Sequence, residues 1–442
     1  MDSIKENSFL ERRFKLSENK TDVRTEVLAG LTTFMTMAYI LIVNPSILSD
    51  AGMDWGGVFT ATAISAAIAT YLMAFLANYP FALAPGMGLN AFFTYSVVLG
   101  MSKSWQFALT AVFIEGIIFM VLSLVKVREA IFDAIPMNLK KAVSVGIGLF
   151  IALIGLVNAG VVVPGEGTIM DLGNITSRGP LLALIGLIIT GFLLAKKVRG
   201  ALFFGIIITT IIGIPMGVTP LPQGFIQAPP SLREVALKFE WDYIFTFDML
   251  VVMFTFLFVD IFDTVGTLVG VASKAKMLDK DGKLPRVSQA LFSDAVGTTV
   301  GALLGTSTVT TYVESAAGVA EGGRTGLTSF VTATMFILAL FFSPIFNIIP
   351  SEATAPALVL VGLFMMSPIK EIDLSDFTEA IPAFLTIVMM PFAYSIAQGI
   401  VFGMVSYVVL KLITGKHKDI SVVMYVLALL FVLREILPLI TG

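Results

Sequence analysis

The sequence predicts an all-α polytopic membrane protein, and three observations point to this fold class. First, 57% of its 442 residues are hydrophobic and only 13% are charged, whereas soluble proteins carry about 25% charged residues. Second, apolar stretches of about 20 residues, enough to cross a bilayer as a helix, recur from Glu26 nearly to the C-terminus. Third, the loops between these stretches alternate between rich and poor in Lys and Arg, as expected of repeated membrane crossings.

Fourteen spans are predicted from the apolar windows, seven on each side of a polar stretch. The first seven lie near 26–48, 58–78, 86–100, 105–125, 140–161, 180–195 and 200–216. The second seven lie near 247–271, 287–304, 312–321, 326–348, 353–367, 378–393 and 396–414. This pattern divides the chain into a cytosolic N-terminal tail (1–25), a first seven-span repeat (26–218), a linker (219–246), a second seven-span repeat (247–415) and a C-terminal interfacial helix (416–442).

The basic residues also predict the orientation. With the N-terminal tail in the cytoplasm, the outer loops hold few of them, namely Lys103, Arg178, Arg233 and Lys238, in agreement with the positive-inside rule. Residues 1–26 lack the apolar region of a cleaved signal peptide. We therefore expect a multi-pass protein of the plasma membrane with a cytoplasmic N-terminus.

Two interrupted spans occupy matching positions in the halves. The third span, at 80–100, contains Pro85, Gly86 and Gly88 ahead of a helical run, and Pro and Gly disfavour a continuous helix there. The tenth span begins with the β-branched, polar stretch "TSTVTTYV" at 306–313, which favours a short extended segment. Each break is predicted to be followed by a half-helix, near Asn90 and Glu314 respectively. Packing kinks are the alternative interpretation.

An inverted repeat follows from the number of spans in each half. Because seven is odd, the two halves must cross the membrane in opposite senses. Transporters with this architecture place their binding site near the midplane, at discontinuous helices. The sequence therefore predicts a solute site between the third and tenth spans.

Composition excludes several other classes. The chain has no Cys and a single His, and its formal net charge is −3. It therefore offers no disulfide, no zinc-type ligand spacing, no catalytic nucleophile motif and no argument for nucleic-acid binding. We expect neither an enzyme nor a bound metal or organic cofactor.

Carboxylates within the spans are the strongest candidates for function, because a charge at the bilayer centre costs at least about 2.5–3.5 kcal/mol. Asp260 and Asp263 lie nearly one turn apart in the eighth span, and Glu314 opens the second half-helix. A structural hydrogen bond for Asp260, a local polar network for Asp263 and a helix cap for Glu314 are the alternatives. Glu115 is predicted either to support the broken segments or to relay a proton.

The sequence resembles the AzgA-like purine permeases of the nucleobase–cation symporter family along nearly its whole length. The resemblance rests on four stretches, "GLTTFMTMAYILIVNPSIL", "ALAPGMGLNAFFTY", "FLFVDIFDTVGTLVG" and "GTSTVTTYVESAAGVAEGGRTGLTS". It implies fourteen helices in two inverted repeats, divided into a core (spans 1–4 and 8–11) and a gate (spans 5–7 and 12–14). It also implies proton-coupled uptake of hypoxanthine, guanine or adenine, with the proton as coupling ion.

The same resemblance assigns site residues. An acid on span 8 and an acid or amide on span 10 hold the base in this family, and Asp260 and Glu314 match these positions. Carboxylates accept hydrogen bonds from the N–H groups of a purine edge, and an amide can serve its acceptors. The predicted substrate contacts are Asp260, Glu314, Asn90, Gly88, Thr33 and Phe262. The predicted supporting or proton-coupling residues are Asp263, Glu115 and Thr264.

The alternatives concern the solute and the class of transporter. A uracil- or xanthine-like base, or an anion, would be carried by the same architecture, although two acids argue against an anion. A channel is disfavoured because no ring of pore-lining charges is evident. The expected partners are a purine base and the lipid bilayer, with a homodimer as an open alternative for the oligomeric state. The sequence does not rank the purines.

Overall fold

The computed structural model describes residues 9–125, 135–165, 167–222, 224–275, 277 and 284–441. Within these residues the chain is mostly helical, with two short pairs of antiparallel strands. Side chains are described for most of this range, and that of Phe262 lies outside it.

Among its described residues, the first half contains nine α-helices, numbered here in chain order. They are α1 (Phe9–Phe14), α2 (Val23–Met37), α3 (Ile40–Asp50), α4 (Trp55–Leu72), α5 (Met87–Ala91), α6 (Trp105–Val125), α7 (Met137–Asn158), α8 (Arg178–Ala195) and α9 (Ala201–Gly213). Two π-helical segments extend α4 and α5, at Met73–Ala77 and Phe92–Gly100. The strands are β1 (Leu83–Pro85), β2 (Val162–Val163) and β3 (Asp171–Leu172).

The described residues of the second half form the remaining helices and one strand. These are α10 (Phe247–Lys274), α11 (Val287–Leu304), β4 (Val309–Thr311), α12 (Ser315–Ala320), α13 (Gly326–Ala339), α14 (Ser343–Asn347), α15 (Ser351–Met365), α16 (Phe377–Phe392), α17 (Ile396–Ile413) and α18 (Val422–Thr441). Short 3₁₀ turns join several of them, at Leu340–Phe342, Ser367–Glu371 and His417–Asp419.

Each of the fourteen predicted spans coincides with a helix. Among the described residues, nine helical segments are long and apolar enough to cross a membrane by length and composition. The other five spans are shorter or less apolar: Met87–Gly100, Ala201–Gly213, Val287–Leu304, Ser315–Ala320 and Phe377–Phe392. The predicted all-α membrane fold is therefore confirmed.

The two interrupted spans meet at the centre of the molecule. Strands β1 and β4 pair antiparallel, with Ala84 opposite Thr310. The ladder is continued by a hydrogen bond from the Gly86 amide to the Thr308 carbonyl, 2.9 Å long. Pro85 is tolerated because this strand belongs to a two-stranded pair with an open edge. Each strand leads into a short helix, α5 or α12, so the predicted extended segments and half-helices are both present.

The helices pack in two groups. The core group contains α2–α6 and α10–α14, where α11 packs on α4 and α6 and α13 packs on α2 and α4. The gate group contains α7–α9 and α15–α17, where α7 packs on α15 and α16 and α8 packs on α9 and α15. This grouping coincides with the division into core and gate that the family resemblance implies.

Two segments predicted to lie outside the spans pack on the core group. In the N-terminal segment, the Phe14 side chain is 1% exposed and packs with Leu16, Ala74 and Leu327. In the linker, Val235 is fully buried, and the Leu237 amide donates to the Leu303 carbonyl over 2.9 Å. Both segments are therefore part of the packed structure.

Candidate functional site

A cavity of about 750 Å³ lies between the core group and the gate group. Its inner wall contains Gly88, Asp263 and Glu314, and its mouth contains Met137, Lys140, Lys141, Ser367 and Pro368. Between the inner wall and the mouth, the gate side of the cavity is largely apolar and contains Val143, Ile147, Val361, Leu363, Phe364 and Met365. Met137 and Leu363 are more than half exposed, so the cavity opens at this end of the protein.

One face of α10 forms the core side of the cavity. Asp263, Gly266, Thr267 and Gly270 all line it, and their spacing of three and four residues places them on one helix face. A Cβ atom added at Gly266 or at Gly270 would have no neighbouring atom within 4 Å outside its own turn of helix. The small residues therefore keep this face open as far as Asp263, which lies beside Gly86 of the crossing strand.

Glu314 lies at the N-terminal end of α12 and lines the same cavity as Asp263. The Tyr39 hydroxyl donates a 2.7 Å hydrogen bond to Glu314 Oε1. Tyr39 is 1% exposed and lies where the first span is interrupted between α2 and α3. This bond fixes the orientation of the Glu314 carboxylate.

Asp260 lies behind the cavity wall rather than on it. It is fully buried, and the Thr264 hydroxyl lies 3.1 Å from Asp260 Oδ1 and 3.0 Å from Asp294 Oδ1. The Thr310 hydroxyl of strand β4 lies 2.7 Å from Thr264 Oγ1. Asp260, Thr264 and Asp294 thus form a polar network that ties α10 to α11 and to the strand crossing.

The two aspartates of α10 differ in their position relative to the cavity. From the sequence, Asp260 is predicted to contact the substrate and Asp263 to support it. Asp263, not Asp260, lines the cavity. The difference comes from how α10 is rotated against its neighbours. Asp263 shares the cavity face with Gly266, Thr267 and Gly270, whereas Asp260 belongs to the network with Thr264 and Asp294 of α11.

Asn90 and Gly88 of the first half-helix differ in position. Gly88 lines the cavity, where an added Cβ would meet Ile147 Cγ2 at 2.8 Å. Asn90 is fully buried, and its Oδ1 accepts a hydrogen bond from the Ser307 hydroxyl. Its amide nitrogen has no hydrogen-bond partner among the described residues. Asn90 therefore joins the half-helix to the approach to β4.

Thr33 and Glu115 are not brought to the cavity. The Thr33 hydroxyl donates to the Ala29 carbonyl over 3.0 Å, and its side chain packs against Gly318 of α12. Glu115 is fully buried on α6, one turn before Phe119, which packs with Ile261 and Ala295. Thr33 thus contacts the second half-helix from behind, and Glu115 lies on the core-facing side of α6.

The aromatic candidates for stacking on a base are mostly directed elsewhere. Phe92 and Phe93 pack on Phe256, and the Tyr95 hydroxyl donates to Asp50. The predicted contact Phe262 lies outside the described side chains. Phe364 of α15 is the aromatic residue that lines the cavity among the described side chains.

Sequence reasoning missed Tyr39, Thr310 and the gate residues of the cavity. Tyr39 carried one usable signal, since a hydroxyl in the middle of an apolar span needs a polar partner when buried. Its partner lies 275 residues away in the chain, so the sequence alone could not identify it. The gate residues are ordinary apolar residues and carried no signal.

The comparisons with known proteins agree with this architecture. The sequence model of the Permease family matches residues 24–402 of this chain. The guanine/hypoxanthine permease PbuG of Bacillus subtilis is 46% identical over 432 residues, covering 95% of this chain and 98% of the relative. The adenine permease AdeP of Escherichia coli is 44% identical over 425 residues, covering 96% and 95%.

Solved structures of two transporters share the fold. The transmembrane domain of the cyanobacterial bicarbonate transporter BicA superimposes with a TM-score of 0.64 at 17% identity, over 85% of this chain and 97% of that chain. The anion transporter Slc26a9 of mouse, in the inward-facing state, gives 0.62 at 13% identity, over 88% and 68%. These likenesses concern the fold, whereas the family follows from the sequence matches. The chain is a transporter rather than an enzyme, and it belongs to the permease family of the nucleobase–cation symporters.

Proposed function

We propose that the protein takes up purine nucleobases across the plasma membrane together with protons. The observation that carries the proposal is the pairing of Asp263 and Glu314 at the inner wall of one cavity between core and gate. The names of two relatives support the substrate class: one is an adenine permease and the other a guanine/hypoxanthine permease.

The chemistry of a purine suits this wall. A neutral purine presents N–H donors and ring-nitrogen or carbonyl acceptors along its edge. Carboxylates accept hydrogen bonds from such N–H groups, and these charge-assisted bonds are the stronger kind. We assign Asp263 and Glu314 to the base, with Gly88 leaving room beside them. Ile147, Phe364 and Met365 of the gate side provide apolar surface for the faces of the ring.

Asp260, Thr264 and Asn90 take a supporting role in this proposal. The network of Asp260, Thr264 and Asp294 holds α10 against the strand crossing. Asn90 holds the first half-helix through Ser307. These contacts position Asp263 and Glu314 without touching the base.

The same acids support the proposal of proton coupling. Asp263 lies close enough to Asp260 and Glu314 to interact with both electrostatically. A cluster of ionised carboxylates away from bulk water is costly, so a proton taken up on one of them with the base would neutralise the loaded core. The loaded core would then move against the gate, which is the alternating-access motion of inverted-repeat transporters.

The basic residues at the cavity mouth support an orientation of the protein in the membrane. The cavity mouth contains Lys140 and Lys141, which the positive-inside rule assigns to the cytoplasm. With the N-terminus in the cytoplasm, the structure would correspond to a state open to the inside. Uptake then ends with release of the base past these lysines.

The test is labelled hypoxanthine uptake into proteoliposomes with an imposed proton gradient. Asp263→Asn and Glu314→Gln should each reduce uptake at least tenfold, the effect of losing about 1.4 kcal/mol of binding. Asp260→Asn should also reduce uptake, because it weakens the network of Asp260, Thr264 and Asp294 that supports the cavity wall. Asp248→Asn is the matched control on the same helix, because it removes an exposed carboxylate that pairs with Lys103, a bond of little energetic value.

Competitors and a protonophore separate the alternatives. Unlabelled adenine, guanine and hypoxanthine should compete with the labelled base, whereas uracil and bicarbonate should not. Uptake of labelled bicarbonate without uptake of labelled hypoxanthine would point to an anion transporter of the same fold. Uptake that persists unchanged with a protonophore and without a gradient would contradict proton coupling, and full uptake by Asp263→Asn and Glu314→Gln would contradict the site.

A further inference from the structure

The end of the protein away from the cavity mouth is closed by contacts between the core group and the gate group. Three polar side chains meet there, from the C-terminal end of α3 (Asp50), the π-helical segment after α5 (Tyr95) and the C-terminal end of α7 (Asn158). The first two belong to the core group and the third to the gate group. All three lie outside the acid-lined cavity.

Each of the three side chains contacts the other two. The Tyr95 hydroxyl donates to Asp50 Oδ2 over 2.6 Å. The Asn158 amide nitrogen donates to the Tyr95 hydroxyl oxygen over 3.1 Å and lies 3.4 Å from Asp50 Oδ2. Tyr95 thus donates within the core group and accepts from the gate group, so one hydroxyl joins the two.

Aromatic and backbone contacts reinforce the same junction. The Tyr95 ring meets the rings of Phe150 and Tyr394 edge-on, at centroid distances of 6.5 and 6.2 Å. The backbone amide of Ile396, at the start of α17, donates to the Ser96 hydroxyl over 3.2 Å. Phe150, Tyr394 and Ile396 all belong to the gate group, so the segment around Tyr95 is held by two separate gate elements.

The position of this junction gives it a consequence for transport. The cavity between core and gate is open at one end and this junction closes the other. A solute that enters from the closed side must pass between the same two groups, so the contacts of Asn158 with Tyr95 and Asp50 must break first. Their strength therefore sets how often the protein opens to that side.

We propose that Tyr95, Asp50 and Asn158 form a hydrogen-bonded latch between core and gate, which holds one end of the transporter closed while the acid-lined cavity is open at the other. The inference rests on the alternating-access part of the proposed function and is independent of which solute is carried. Weakening the latch shifts the population toward the state that is open at the latch end.

The absence of Cys from the sequence allows a direct test with single-cysteine reporters. Ile154→Cys reports on the latch end, because Ile154 is 1% exposed and lies one turn from both Phe150 and Asn158 on the same face of α7. Gly270→Cys reports on the cavity, since its added side chain meets open space. The rate of labelling by a bulky polar maleimide is measured on purified protein in detergent, without any solute.

Tyr95→Phe removes only the hydroxyl. We expect it to raise the labelling rate of the Ile154→Cys reporter about fivefold and to lower that of Gly270→Cys, as the loss of one hydrogen bond of ordinary strength would do. Asn158→Ala, which removes the gate-side donor, should shift both reporters in the same directions. The two variants act on opposite sides of the latch, so each remains informative if the other is poorly folded.

Tyr243→Phe is the matched control, because Tyr243 is a half-exposed tyrosine of the linker that packs on Phe107. Its labelling rates should equal those of the parent reporters. Equal rates for Tyr95→Phe, Asn158→Ala and the control at both reporters would overturn the latch. Because no purine is present, this result is distinct from a failure of the purine assignment, which is judged by uptake and competition alone.

Discussion

Tyr39 carries the clearest prediction at the scale of single residues. Its hydroxyl is a hydrogen-bond donor to Glu314, and bonds to charged groups contribute about 1.5–3 kcal/mol. Tyr39→Phe should therefore weaken purine binding about tenfold or more while leaving the protein folded, measured as the apparent affinity in uptake assays. Tyr71→Phe is the control, because it removes a partly buried tyrosine hydroxyl that meets the Thr334 hydroxyl elsewhere in the core group. Equal affinities for the two variants would contradict a positioning role for Tyr39.

The orientation of individual side chains could not be predicted from the sequence. Acids in apolar spans were predictable as functional residues, because a membrane charge is costly to retain. Which of Asp260 and Asp263 faces the solute depends on how α10 is rotated against its neighbours. Small differences in packing decide that rotation, and the local sequence "VDIFDT" is compatible with either. Tyr39 and Ile147 could not be placed because their importance comes only from distant contacts.

At the scale of elements, the open face of α10 predicts how the cavity can be blocked. A tryptophan at Gly266 projects into empty space rather than into packed atoms, so the fold should persist while the path is filled. Gly266→Trp should abolish uptake and leave the midpoint of thermal unfolding within a few degrees of the parent protein. Gly191→Trp on α8 is the matched control, since its side chain also meets open space but does not line the cavity. Retained uptake by Gly266→Trp would mean that the solute takes another path.

A second element-scale prediction concerns the start of α13. The fully buried Glu26 of α2 accepts hydrogen bonds from the backbone amides of Arg324 and Thr328, over 2.8 and 3.1 Å, and from the Thr328 hydroxyl. It thereby caps a helix that begins 300 residues later, where unsatisfied amides need an acceptor. Glu26→Gln keeps one acceptor oxygen and turns an amide nitrogen toward these donors. We expect the free energy of unfolding to fall by about 1–3 kcal/mol.

The measurement for this cap is denaturant unfolding in detergent, compared with Glu11→Gln. Glu11 accepts a single bond from the Ser17 amide at an exposed position, so its variant should unfold as the parent protein does. A Glu26→Gln protein as stable as this control would show that the cap contributes little.

At the scale of the whole molecule, most of the fold could be predicted from the sequence. Hydropathy marks spans because the backbone in lipid must satisfy its own hydrogen bonds, and Pro85, Gly86 and the Thr-rich run before Glu314 marked the two breaks. The docking of the N-terminal segment and the linker on the core group could not be predicted. Both are polar in composition, and single apolar residues such as Phe14 and Val235 anchor them.

The pairing of β1 with β4 also has a consequence for the order in which the protein is made. Pro85 and its ladder partner Val309 are 224 residues apart in the chain, so at about 5–20 residues per second the first strand waits roughly 10–45 s for the second to be synthesised. During that time its backbone groups lack the ladder that satisfies them in the finished protein. Biogenesis therefore depends on keeping the half-made third span sheltered from lipid until the tenth span arrives, and a chain arrested before residue 309 should be an early target for quality-control proteolysis.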